Sequence, residues 1–138
     1  MMAKQTVGAG DCQTFKAARD LSSYQFCPVG LSAADTVDYV AAHGKVIGIL
    51  LNKPDAAGKA ATVCTASGVL CKCKVAGSAV AFGDTLEAEG TTDYRAAEFS
   101  INMAGANVTY LIGYGNETSA AAGGIVTILT CFSPAAYT

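Results

Sequence analysis

One stretch of this chain is used twice. IGILLNKPDAAGKAATVCT (Ile47 to Thr65) and IGYGNETSAAAGGIVTILT (Ile112 to Thr130) align without a gap, matching at Ile47/Ile112, Gly48/Gly113, Ala56/Ala121, Ala57/Ala122, Gly58/Gly123, Thr62/Thr127, Val63/Ile128 and Thr65/Thr130. Each copy reads as a strand, a loop that ends in Ala-Ala-Gly, and a returning strand, with Gly58 and Gly123 free to turn the backbone into the second strand. The competing explanation is accidental likeness in a chain rich in Ala and Gly. Two equivalent hairpins suit a pseudo-symmetric barrel rather than a cleft with one unique reactive corner.

The rest of the patterning also favours strands. KVIGILL (45–51), ATVCT (61–65), GVLCKCKV (68–75), NVTYLIGY (107–114) and GIVTILTCF (124–132) are short, rich in β-branched residues and bounded by turn signals. LSAADTVDYVAAHG (31–44) reads equally as an Ala-rich helix capped by Ser32 or as a strand TVDYVA followed by a His-Gly turn, and YRAAEFSINMA (94–104) has a similar helical alternative. The expected fold is mainly β, a small barrel with room for one or two short helices.

A length of 138 residues fits one domain with a single core. Residues 21–138 are expected to form it, since residues 1–20 are too sparse in large apolar side chains to make core alone. Hydrophobic residues reach 51% and charged ones only 14%, so little surface charge is available to keep copies apart. Self-association or docking follows. The net charge of −2, without a basic stripe, argues against nucleic acid, and the apolar run from Ile125 to Phe132 is far short of a bilayer span. MMAKQTVGAG has no apolar run, so synthesis in the cytosol is expected.

No pattern points to catalysis or to a bound cofactor. His43, the sole histidine, sits before Gly44 as a turn residue with no paired nucleophile, and GAG (8–10) and GYGN (113–116) lack the spacing of phosphate loops. Asp84, Glu87, Glu89, Asp93 and Glu98 read as a solvated rim rather than a metal site. The six cysteines, Cys12, Cys27, Cys64, Cys71, Cys73 and Cys131, lack the paired CxxC turns of a zinc site or a redox motif. In GVLCKCKV, alternation puts Cys71 and Cys73 on one face with Val69 and Val75, and Lys72 and Lys74 on the other. Two readings stay open: buried thiols that pack as small apolar groups, or disulfides, for which all six are candidates.

FKAARDLSSYQFCPVGL (15–31), KVIGILLNKPDAAGKAATVCTASGV (45–69), KVAGSAVAFGDTLEAEG (74–90) and IGYGNETSAAAGGIVTILT, taken in order, resemble the capsid cement, or head decoration, proteins of tailed bacteriophages. The chain departs from that family's pattern in AEGTTDYRAA and in its cysteine content. The resemblance implies a β-tulip-type barrel, frequently a homotrimer, with residues 1–20 extended as an N-terminal arm that contacts the capsid surface. It further implies a non-enzymatic virion protein made in the host cytoplasm, which binds the major capsid protein on the outer capsid surface and stabilises its lattice. The alternatives are a cysteine-rich thiol or metal-binding barrel and a tail or fibre component.

Overall fold

A computed structural model describes residues 7–40, 44–75, 83, 85–88, 96–98, 108–116 and 124–136. The chain is mainly β, with ten strands in two sheets and no long helix among the described residues. The first sheet holds β1 (Cys12–Ala17), β2 (Pro28–Ala33), β3 (Thr36–Tyr39), β4 (Gly48–Leu50) and β5 (Ala60–Cys64), closed into a barrel in the order β1-β3-β2-β4-β5. The second holds β6 (Leu70–Lys74), β7 (Thr85–Ala88), β8 (Ala96–Glu98), β9 (Val108–Gly115) and β10 (Ile125–Ala136), in the order β6-β10-β9-β7-β8.

All five strands expected from β-branched runs are present, as β4, β5, β6, β9 and β10. The Ala-rich segment 31–44 takes its strand alternative, because β2 turns at Ala34-Asp35 into β3 with Asp35 in the left-handed region (φ 52°). Within 94–104 the described residues are strand β8; the others, like His43, lie outside the described residues. The arm expected over residues 1–20 needs correction. Residues Cys12–Ala17 pair antiparallel with β5 and parallel with β3, and so close the barrel, with Ala17 buried and Phe15 packed on its core. Residues 1–6 lie outside the described residues.

The repeated hairpin is part of a larger repetition. Ile49↔Cys64 and Leu50↔Val63 in the β4–β5 pair recur as Tyr114↔Leu129 and Gly115↔Ile128 in β9–β10, the positions that the sequence echo aligns. The neighbouring pairs repeat as well: Cys12↔Cys64 of β1–β5 as Leu70↔Leu129 of β6–β10, Val29↔Gly48 of β2–β4 as Leu86↔Gly113 of β7–β9, and Val29↔Tyr39 of β2–β3 as Leu86↔Glu98 of β7–β8. Connecting hydrogen bonds follow suit. Ala17 N–H donates to Lys59 O as Val75 N–H does to Gly124 O, and Phe26 N–H to Leu50 O as Gly83 N–H to Gly115 O. Phe26 and Gly83 even share a left-handed backbone, with φ of 66° and 77°. The fold is one five-stranded plan used twice, as 12–64 and 70–136.

The copies differ in closure. In the first, Lys16 N–H donates to Asp35 O (2.8 Å) beside the parallel β1–β3 pair; at the matching place in the second, Lys74 N–H donates to Phe26 O of the first copy (2.8 Å). Backbone from copy one thus occupies the outward edge of β6. Among the described residues the buried apolar side chains form two clusters. The barrel encloses Leu21, Val29, Val37, Leu50, Ala61 and Val63, while Cys71, Cys73, Val75, Leu86, Ile112, Val126 and Ile128 of the second copy pack against Val40, Val46, Ile49 and Cys64 from the first. An α-carbon substituent at Gly48 would lie 2.1 Å from Cys64 O, and one at Gly113 2.2 Å from Leu129 O, so both hairpins depend on glycine for backbone approach.

Candidate functional site

Two features stand out: the thiols at the seam between the copies, and an apolar face that the second copy leaves open. β6 alternates as its sequence implies, with Cys71 and Cys73 fully buried and Lys72 and Lys74 at the surface. Lys72 Nζ lies 5.8 Å from the centre of the Phe26 ring, and Lys74 Nζ donates to Ser23 O at 3.5 Å, so both lysines also reach back to the first copy.

Three of the six cysteines, Cys64, Cys71 and Cys73, lie in the cluster shared by the copies, with Cys12 beside Cys64 and Cys27 beside Cys73; all six are thiols. Cys12 is partly exposed on β1 and directly opposite Cys64 on β5. Cys64 and Cys71 are both fully buried in the shared cluster. The Cys71 thiol donates to Lys72 O at 3.4 Å. The closeness of the Cys64 and Cys71 thiols draws the Cys64 pKa down and, with burial, pushes Cys71 far above the thiol range. Burial, with Cys27 nearby, likewise pushes Cys73 up. Desolvation raises Cys12, and the neighbouring Cys64 and Asp11 add to it. Cys131 lies apart, in the irregular stretch of β10 between Thr130 and Ser133, and is partly buried. Among the described residues no group of three His, Cys, Asp or Glu side chains could hold a metal ion.

A polar cluster braces the first barrel. Arg19 Nη2 lies 2.7 Å from Asp38 Oδ2, and Nη1 donates to the Tyr39 hydroxyl at 2.8 Å. The Tyr39 ring packs against Tyr24 with centroids 5.1 Å apart. Arg19 is half exposed, so this is an anchored surface pair of modest energy rather than a buried charge site.

The open face lies on β9 and β10. Tyr114 is 37% exposed, its cross-strand partner Leu129 41%, and Ile125, further along β10, 43%. Their places in the repeat give this exposure meaning. Tyr114 and Leu129 match Ile49 and Cys64, which are wholly buried because the second copy packs on them. The positions that the first copy buries within the chain thus carry exposed apolar side chains at Tyr114 and Leu129 on the second, with Ile125 nearby and the buried Thr127 between it and Leu129. Singly, these residues look like ordinary alternating strand positions; only the alignment of the copies marks them.

The fold has a solved counterpart. The chain is similar in structure to the N base of the head fiber protein gp8.5 of bacteriophage phi29, with a TM-score of 0.60 over 87% of this chain and 92% of that one, at 18% sequence identity. No protein-family model and no curated protein sequence matches the chain.

Proposed function

We propose that this chain is a non-enzymatic structural component of a bacteriophage virion, seated on the outside of the head and bound to the major capsid protein. The observation that carries this reading is the fold shared with a phage head fiber base along nearly the whole chain. The open Ile125, Tyr114 and Leu129 face supplies a contact surface of the right kind, since apolar side chains at an interface centre dominate binding energy. Stabilisation of the capsid lattice, and assembly of the chain as a homotrimer, belong to the same proposal. In it, the low charge noted in the sequence reflects surface covered by capsid and by neighbouring copies.

Co-sedimentation of the purified chain with capsids encoded by the same genome tests the reading. The wild type pellets with the capsids, and the double variant Tyr114→Glu/Leu129→Lys binds at least tenfold more weakly while still unfolding cooperatively in urea, since both side chains are more than a third exposed. Failure of the wild type to pellet sinks the virion assignment; a double variant that binds like wild type sinks the assignment of the face alone.

A further inference from the structure

We propose that Cys12 and Cys64 are a built cross-strand oxidation site, which takes a low-molecular-weight disulfide of the glutathione type as co-reactant and closes a bond between β1 and β5. The two are direct partners in the antiparallel pair. Thr65 N–H donates to Asp11 O at 3.0 Å, so Asp11 and Thr65 are the hydrogen-bonded pair and Cys12 and Cys64 the adjacent non-hydrogen-bonded one. Such pairs hold their α-carbons about 4.5 Å apart with side chains toward each other, within the roughly 4.4–6.8 Å that a disulfide spans. The matching pair in the second copy is Leu70 and Leu129, so the register supports a side-chain contact in both copies, and only the first fills it with sulfur.

Access and activation are divided between the two. Cys12 is partly exposed, and its Sγ rests 3.5 Å from Gly8 O, one side-chain rotation from its partner. Cys64 is shut off from solvent, and the nearby Cys71 thiol lowers its pKa against the opposing effect of burial. The Cys12 thiolate attacks one sulfur of oxidised glutathione and releases one reduced glutathione. The Cys64 thiolate then attacks Sγ of Cys12 and expels the second. Two thiol protons are lost, and the two electrons pass to the glutathione disulfide. Because Cys64 stands directly across the strand pair from Cys12, the second step is intramolecular and outpaces the first, so the mixed disulfide does not accumulate.

The full chain, incubated with oxidised glutathione at pH 8 and mapped by mass spectrometry without reduction, yields a joined pair of peptides containing residues 12 and 64, lighter by two hydrogens. Cys71 and Cys73 remain available to alkylation once the protein is unfolded. Cys12→Ser abolishes the bridge and leaves Cys64 reduced. Cys64→Ser accumulates a glutathione adduct on Cys12. A lasting adduct on Cys12 of the wild type overturns the proposal, and so does a Cys64–Cys71 bridge in its place.

Discussion

Gly48 and Gly113 show how a single missing atom sets a hairpin. A β-carbon at either site would fall about 2 Å from a partner carbonyl oxygen, and backbone cannot yield as a flexible side-chain tip can. Gly48→Ala and Gly113→Ala should each cost at least about 3 kcal/mol, read as a fall in the urea midpoint or loss of soluble protein. Gly58, with left-handed φ but open space around it, should tolerate Ala at about 1 kcal/mol. Cys73 links residue chemistry to pH. Its folded pKa lies above the usual thiol value of 9.0, so the unfolded chain releases this proton first as pH rises. Its contribution to stability is therefore complete below pH 9 and lost as pH climbs above it. Denaturation midpoints at pH 8 and pH 10 should differ more for the wild type than for Cys73→Ala.

At the scale of elements, legibility followed the apolar runs. β4, β5, β6, β9 and β10 announce themselves because each carries consecutive β-branched residues between clear turns. β1 does not, since CQTFKA offers one large apolar side chain in six residues and draws its order from two neighbouring strands. The Ala-rich 31–44 segment has helical spacing, but a two-residue turn at Asp35 and the inward Val37 decide for a hairpin. The sequence likewise exposed the echo of one hairpin but not of the other strands, whose equivalence lies in register and hydrogen bonds rather than identities. Of the site, the buried faces of Cys71 and Cys73 were readable from alternation, and the open face was not. Edge closure is testable at this scale. Proline at residue 16 removes the donor to Asp35 O, and proline at residue 74 the donor to Phe26 O. Lys16→Pro and Lys74→Pro should each destabilise by about 1–3 kcal/mol in urea titrations, the first by opening the barrel and the second by loosening the copies from each other.

At the scale of the molecule, the two copies are unequal partners. The first is closed on itself with its own apolar cluster, whereas the second draws Val40, Val46, Ile49 and Cys64 from its neighbour to complete its interior. Expressed separately, residues 7–65 should unfold cooperatively in urea but self-associate through the uncovered Ile49 and Cys64 face. Residues 66–138 should show no cooperative transition by circular dichroism. A cooperative second copy on its own would contradict the dependence that the shared cluster describes. The edge of β6 held by Phe26 O sets an order in time. On a ribosome the first barrel can close as soon as its last strand emerges, and it then stands ready as a template on which the later strands settle. The same five-stranded plan thus serves first as nucleus and then as client.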